Sequence, residues 1–235
     1  FGSYSADSGS ILLDGKPVEI KNPNVATSLG IGMVHQHFKL VQNYTVTENI
    51  VLGVEPTKGR LLDMKRARER VEALSSQYAL KVDPDSLVED ITVGQQQRVE
   101  ILKTLYRNAN MIIFDEPTAV LTPQEIDELM EILKKLRSEG KTIVLITHKL
   151  KEIKEVCDRC TVLRRGRCIG TVDVQDVSEQ DLAEMMVGRA VKFEIDKPEQ
   201  QAGRVMLSLQ HLQVADISGA LRVKDLSLDV HEGEI

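Results

Sequence analysis

The chain has 235 residues, of which 42% are hydrophobic and 28% are charged, enough for one well-buried domain and a fragment of a second. Aromatic residues make up only 3% and Trp is absent, so we do not expect the stacking surfaces with which many proteins bind nucleic acids. Thirty basic against 36 acidic residues give a net charge of −6, and no overall positive field attracts DNA or an anionic membrane.

A hairpin and a buried strand are predicted near the start of the chain. Asp14-Gly15 separates two short runs rich in apolar residues, 11–13 and 18–20, and Asp-Gly favours a tight turn between antiparallel strands. Residues 31–34 then form a short apolar run that is typical of a buried strand.

Two helices are predicted next, at residues 64–80 and 95–107, because apolar residues recur on one helical face in both. The second follows a polar turn that contains Thr92 and Gly94. Backbone N–H groups at such a helix start can bind an anion, although a Gln-rich helix start is more often an ordinary solvated surface. The turn alone leaves both interpretations open.

The strongest signal is a pair of adjacent carboxylates. Residues 111–114 are apolar and lead directly to Asp115 and Glu116, a position at the carboxyl edge of a parallel sheet, where open α/β sheets bind ligands. Strand alternation points the two side chains in different directions. One can therefore hold a hydrated Mg²⁺ while the other accepts a proton from an attacking water. Taken alone, a solvated acidic strand end is the simpler interpretation.

A second strand ends in a similar way and removes that simpler interpretation. Residues 122–125 form a capping box, and the helix that they begin ends near Gly140. The strand at residues 142–146 follows, and we expect it to be buried. It leads to His148, which a parallel strand–helix–strand unit brings to the same sheet edge as Glu116. These apolar strands are far shorter than the roughly 20 residues of a membrane-spanning helix, so we expect membrane contact only through partner proteins.

The last part of the chain changes in character. Residues 191–204 are polar, with Pro and Gly among them, and we interpret them as a linker. Residues 205–230 alternate apolar and polar side chains on both sides of Ser218-Gly219, which predicts an antiparallel pair of strands.

The three cysteines invite a metal interpretation, because Cys157 and Cys160 form a CxxC and Cys168 follows. A structural zinc site needs four ligands, and no second CxxC or paired His follows at metal spacing. We therefore expect ordinary thiols at these positions.

Four features occur in a specific order along the chain: Gln36 after a strand, residues 91–95 at a helix start, residues 111–116, and His148. In this combination the chain resembles an ATP-binding cassette (ABC) ATPase, of the duplicated kind found in bacterial importers of simple sugars and nucleosides. The four features match, in turn, the Q-loop glutamine, the signature motif, Walker B and the switch histidine of that family. The match covers about residues 1–190.

The resemblance implies an α/β fold, with a P-loop NTPase-like parallel sheet flanked by helices, an inserted helical subdomain and peripheral antiparallel strands. Residues 1–190 would form a first cassette, with the helical subdomain at about residues 44–107. Residues 191–204 would be the linker, and residues 205–235 would supply the opening strands of a second cassette.

Carried over by position, the family pattern assigns chemistry to four residues at the sheet edge. Glu116 would be the general base for the attacking water, and His148 would donate a hydrogen bond to the γ-phosphate of ATP. Asp115 would hold Mg²⁺ through water. Gln36 would sense both Mg²⁺ and the γ-phosphate, and would link the site to a membrane subunit.

The signature motif implies partners. Thr92, Gly94 and Gln95 would face the γ-phosphate of an ATP bound by a second ABC domain, in a head-to-tail dimer. The helical subdomain would dock onto transmembrane permease subunits. No nucleic acid is implied.

The phosphate-binding Walker A loop, Gly-x4-Gly-Lys-Ser/Thr, does not occur in the sequence. The nearest match, at Gly9 and Gly15-Lys16, has one residue too many in the gap, and Pro17 replaces the hydroxyl residue. Family order places this loop before Phe1. We therefore expect the chain alone to bind ATP very weakly and to be inactive, since the backbone N–H groups and the lysine of that loop cradle the phosphates.

The expected function of the parent protein is ATP hydrolysis that drives import of a sugar or nucleoside, at the cytoplasmic face of the inner membrane. Two alternatives stay open: a non-catalytic fragment of such a subunit, and an ABC ATPase that does not act in transport. The modest insert at residues 44–87 argues against the second, because such proteins usually carry long coiled-coil or basic insertions.

Overall fold

The computed structural model describes residues 1–190, 203–216 and 219–234. The chain forms two units, Phe1–Val191 and Lys192–Ile235. The predicted linker at residues 191–204 falls mainly outside the described residues, as does Ser218 of the predicted turn.

The first unit alternates strands and helices over most of its length. Its strands are β1 (Ile11–Leu13), β2 (Lys16–Val18), β3 (Ile31–Val34), β4 (Thr57–Lys58), β5 (Leu61–Leu62), β6 (Met111–Asp115), β7 (Thr142–Ile146), β8 (Arg159–Arg164) and β9 (Arg167–Asp173). Its helices are α1 (Pro23–Ser28), α2 (Val46–Val51), α3 (Met64–Tyr78), α4 (Val93–Tyr106), α5 (Pro123–Ser138), α6 (Leu150–Val156) and α7 (Glu179–Val187).

Three strands of this unit form a sheet in the order β3–β6–β7. β3 pairs with β6 in parallel, and β6 pairs with β7 in parallel as far as Asp115 opposite Ile146. The predicted parallel sheet is therefore confirmed. Because all three strands run in the same direction, their carboxyl ends lie at one edge.

Apolar side chains from α4 and α5 share a core with this sheet. Ile112 and Phe114 of β6 are fully buried, in one cluster with Leu102 of α4 and with Leu133 and Leu136 of α5. Removing a side chain of this size from water contributes about 1.5–3 kcal/mol. The packing anchors β6, and with it the residues at its carboxyl end.

Strand β7 is less buried than its sequence predicts. Val144 is 41% exposed and Ile146 is 46% exposed, so the expectation of a buried strand at residues 142–146 is wrong. The reason is that β7 is an edge strand. It pairs with β6 on one side, and the described residues place no strand on its other side.

Capping boxes determine where α4 and α5 begin. The Thr92 hydroxyl accepts the N–H of Gln95, and the Gln95 side chain accepts the N–H of Thr92. Thr122 and Glu125 form the same reciprocal pair at α5, as their sequence predicts. The predicted start of α4 at Gln95 is wrong by two residues, because the Thr92 cap makes Val93 the first helical residue.

Helices α2, α3 and α4 pack against one another through buried residues that include Ile50, Val71 and Val99. All three lie within residues 44–107, the stretch predicted to form a helical subdomain. In the described part of the chain, no helix combines the length and the apolar character that a bilayer span requires.

Antiparallel pairs lie outside the parallel sheet. β1 and β2 form the predicted hairpin, and Asp14 and Gly15 of its turn have φ values of 51° and 74°, which a tight primed turn requires. In the second unit, β10 (Val205–Ala215) pairs with β11 (Leu221–His231) in antiparallel register, which confirms the predicted strand pair.

Candidate functional site

The turn after β6 places Glu116 at the carboxyl edge of the sheet. The backbone N–H of Glu116 donates to the carbonyl of Ile146 at 2.9 Å, which extends the contact between the ends of β6 and β7. Glu116 has a φ of 44°. A residue other than Gly or Asn in this left-handed region costs of order 1–3 kcal/mol, and such strain is concentrated at functional sites.

Three of the predicted site residues meet at this position. The Gln36 amide Nε2 donates to Glu116 Oε2 at 3.3 Å, and His148 Nδ1 lies 3.2 Å from Glu116 Oε1. Both carboxylate oxygens of Glu116 therefore have a partner that follows a neighbouring strand. The side chain of Glu116 is one-third exposed and that of His148 is nearly two-thirds exposed, so the group opens to solvent.

This arrangement has a defined chemical capacity. A carboxylate that is held in place and open to solvent can accept a proton from a water molecule in front of it. His148 can donate to an ionised Glu116 only through a protonated Nδ1. A neutral imidazole then has an unprotonated Nε2, so donation to Glu116 and to a phosphate oxygen at the same time needs the imidazolium form.

Asp115 occupies the last position of β6. It is half-buried and lies opposite Ile146 in the parallel register. Together with Glu116 it supplies two adjacent carboxylates, but the described residues contain no group of three or more His, Cys, Asp or Glu that could hold a metal ion. A cation here would take most of its ligands from water and from a bound anion.

The signature residues form a separate cluster at the start of α4. The backbone N–H of Thr92 donates to Gln95 Oε1 at 3.0 Å, and the backbone N–H of Gln95 donates to Thr92 Oγ1 at 3.3 Å. Gly94 is buried in the first turn of α4, where a Cβ atom would collide with the carboxylate of Glu125 at the start of α5. A contact between Thr92, Gly94 or Gln95 and a phosphate of a second cassette stays a prediction.

Sequence reasoning missed the residues that connect these parts. Gln97 of α4 is almost completely buried, and its Nε2 donates to the carbonyl of Pro117 at 2.9 Å. Glu152 of α6 is also buried and accepts hydrogen bonds from Thr118 and Thr147. The only signal in the sequence was a polar side chain on an otherwise apolar helical face, and such a pattern does not identify the partner.

The cysteines lie apart from this chemistry. Cys157, Cys160 and Cys168 are free thiols. Burial raises the pKa of the Cys157 thiol to about 11 and also raises the pKa of Cys160. Both thiols are therefore protonated near neutral pH, and a thiol is a much weaker nucleophile and metal ligand than a thiolate.

Residues 1–119, which include β3, α4, β6 and Glu116, match the family model described as ABC transporter. The chain belongs to the ABC transporter family.

Several curated proteins are similar over the whole chain. The nucleoside import ATP-binding protein NupA of Lactococcus lactis subsp. cremoris is 56% identical over 100% of this chain and 46% of the relative. The guanosine import ATP-binding protein NupO of Bacillus subtilis is 54% identical, with the same coverage. The chain thus spans about half the length of these relatives. Among solved structures, cbiO1 of Clostridium perfringens, part of the ABC transporter complex cbiONQ, gives a TM-score of 0.63 at 27% identity, over 79% of this chain and 72% of that one.

Proposed function

We propose that the protein carrying this chain hydrolyses ATP to drive the import of a nucleoside. The observation that carries the proposal is the position of Glu116, which Gln36 and His148 hold at the open edge of the sheet. Support for the solute comes from the names of NupA and NupO, which describe nucleoside and guanosine import. A simple sugar is the alternative solute, because a relative from Haloferax volcanii, 41% identical, is named for glucose import.

Glu116 is the proposed general base. Its carboxylate accepts a proton from a water molecule whose oxygen attacks the γ-phosphorus of ATP; the bond to the bridging oxygen breaks, and ADP and inorganic phosphate form. The hydrogen bond from Gln36 is proposed to help orient this carboxylate. His148 is proposed to donate to a γ-phosphate oxygen, where charge is redistributed during transfer.

The residues at this edge fit Mg²⁺ as it usually occurs with nucleotides. Mg²⁺ keeps several waters and takes one or two carboxylates together with substrate phosphates, and Asp115 with the Gln36 amide offers oxygen ligands of this kind. Such an ion would neutralise charge on the β- and γ-phosphates. Asp115 and Gln36 are proposed to hold it, partly through water.

The start of α4 is proposed to complete the site of a second ABC domain. Val93, its first helical residue, is 39% exposed, so this end of the helix is accessible to another chain. Thr92, Gly94 and Gln95 would contact the γ-phosphate of the opposing cassette, in a head-to-tail dimer. Backbone N–H groups at a helix start favour a bound anion.

Docking to transmembrane permease subunits is proposed for the helical subdomain at residues 44–107. Leu61 and Leu62 of β5 expose most of their surface, and adjacent exposed apolar side chains favour contact with another protein. The protein would then be peripheral, at the cytoplasmic face of the inner membrane.

Uptake by the complete protein and its membrane subunits tests the proposal. In vesicles that contain Mg²⁺ and ATP, we expect uptake of labelled nucleoside to require ATP and to exceed uptake of labelled ribose or glucose. ATP hydrolysis with uptake of sugar alone would change the solute class. The absence of ATP hydrolysis would contradict the function itself and favour a non-catalytic subunit.

A further inference from the structure

One buried carboxylate outside the predicted site connects the two loops that carry Glu116 and His148. Glu152 lies in the first turn of α6 and is 4% exposed. Burying an ionised carboxylate is costly unless hydrogen bonds compensate for the lost water. Two hydroxyl groups provide this compensation: Thr118 Oγ1 donates to Glu152 Oε1 at 2.5 Å, and Thr147 Oγ1 donates to Glu152 Oε2 at 2.8 Å.

Each of the two threonines lies within two residues of a proposed catalytic residue in the sequence. Thr118 lies two residues after Glu116 in the turn that follows β6, and Thr147 immediately precedes His148 after β7. Each oxygen of the Glu152 carboxylate therefore binds a different loop. Charge-assisted hydrogen bonds of this kind are about twice as strong as those between neutral groups.

Lys149 joins the same network. Its Nζ donates to the carbonyl of Thr118 at 3.0 Å and lies 3.5 Å from Glu152 Oε1. Its backbone N–H donates to Thr147 Oγ1 at 3.1 Å. The Lys149 ammonium provides a countercharge for the buried carboxylate and holds the same two loops together from the side of His148.

The packing of α6 alone does not account for this arrangement. Ile153 of the same helix belongs to an apolar cluster with Val162 and Leu182, so α6 has an anchor that does not involve Glu152. Glu155, one turn later, is partly exposed and pairs with Lys134 of α5. Glu152 is the acidic residue of α6 that is buried, and its two hydrogen bonds go to the loops beside Glu116 and His148.

We propose that Glu152 is a positioning residue that fixes the distance between Glu116 and His148. By binding Thr118 and Thr147 at once, its carboxylate sets the spacing of the two loops and so maintains the 3.2 Å contact between Glu116 and His148. This inference rests on the proposed ATP hydrolysis. Glu152 touches neither substrate nor reacting atoms, and acts through the two threonines.

Paired substitutions in the complete protein test the inference. Glu152→Ala is expected to lower kcat for ATP by about 10- to 100-fold, because displacement of a reacting group by about 1 Å has effects of this size. Thr147→Val should give a loss in the same direction, whereas Thr147→Ser keeps the hydroxyl and should restore most of kcat. KM for ATP is expected to change little in all three, since the lost contacts do not bind substrate.

Glu155→Gln is the matched control, because it neutralises a carboxylate on the same helix that binds neither loop. It should leave kcat unchanged. If Glu152→Ala fails to fold, the Thr147→Val and Thr147→Ser pair decides, since each changes only one side chain by a few atoms. Equal kcat for that pair, or a loss of the same size in Glu155→Gln, would overturn the positioning role.

Amide hydrogen exchange provides a second measurement that does not depend on ATP hydrolysis. In Thr147→Val we expect faster exchange in both loops, residues 118–121 and 147–149, although only one loop is altered. Exchange that increases in residues 147–149 alone would contradict a connection through Glu152. If the unsubstituted protein hydrolyses no ATP, the proposed function fails, while the exchange result still decides whether Glu152 couples the loops.

Discussion

The edge of the sheet and the start of α4 are organised in opposite ways. At the sheet edge, Glu116 contacts Gln36, which is 80 residues earlier, and His148, which is 32 residues later. At the start of α4, Thr92 and Gln95 are only three residues apart and form hydrogen bonds with each other. The sheet edge is thus assembled by the fold, whereas the helix start is assembled by local hydrogen bonds.

This difference in assembly indicates whether each region can perform its proposed role within one chain or needs a binding partner. The groups at the sheet edge are brought together by one chain and already form a chemical unit, so their proposed roles can be tested one residue at a time. The start of α4 has its polar side chains occupied by one another and a buried glycine beside Glu125. Its proposed role therefore depends on what binds to it.

The largest effect that separates the two regions is expected for His148→Ala. Loss of one preorganised donor to a developing charge lowers kcat by about 100-fold or more, and we expect that result for ATP hydrolysis by the complete protein. His211→Ala is the matched control, because His211 contacts Asp225 Oδ1 at 3.0 Å in the second unit. Equal losses for the two variants would contradict a special role for the contact at the sheet edge.

A smaller effect, on stability rather than chemistry, is expected for Gly94→Ala. The added methyl group would push the Glu125 carboxylate out of its capping-box position at the start of α5, and disrupting a helix cap costs about 0.5–2 kcal/mol. Thermal unfolding should show a lower Tm for Gly94→Ala than for Gly170→Ala, where a Cβ meets only the Met185 side chain at ordinary distance.

Glu125→Ala combined with Gly94→Ala tests the cause of that loss. Removing the carboxylate removes the collision, so the double variant should be more stable than the sum of the two single effects. Additive losses would mean that the methyl group acts through something other than Glu125.

The smallest expected effect is a pH dependence of stability that arises from the Glu125 carboxylate. The hydrogen bond from the backbone N–H of Thr122 holds the pKa of Glu125 below its ordinary value of 4.5. A lowered folded-state pKa stabilises the protein above the unfolded-state value, and this contribution is lost as the pH falls through the folded-state pKa. The Tm of the unsubstituted protein should exceed that of Glu125→Gln by at most about 2 °C near pH 7, because the carboxylate is only partly buried and solvent screens its interactions.

That advantage should shrink below about pH 4.5, as thermal unfolding at several pH values would show. The capping box of α7 offers a comparison, because hydrogen bonds from the hydroxyl and then the backbone N–H of Ser178 hold the pKa of Asp181 below its usual value. An advantage that grows as the pH falls would contradict the assigned cause.

Most of the correct predictions of fold and site came from local sequence patterns and family motifs. The capping box at Thr122, the Asp14-Gly15 turn and the convergence of Glu116 with His148 could all be predicted, because each depends on spacing along the chain or on the direction of parallel strands. The exposure of Val144 could not, since it depends on whether another strand pairs with β7. Glu152 was missed because its partners, Thr118 and Thr147, are identifiable only once both loops are placed in space.

The central claim is that Glu116, held by Gln36 and His148, is the base in ATP hydrolysis. Glu116→Gln in the complete protein tests it most directly, with Glu131→Gln on the exposed face of α5 as the control. We predict that ATP turnover falls by at least about 100-fold while the Kd for ATP with Mg²⁺ stays close to that of the unsubstituted protein. Turnover that survives Glu116→Gln would contradict the claim and assign the base to another residue.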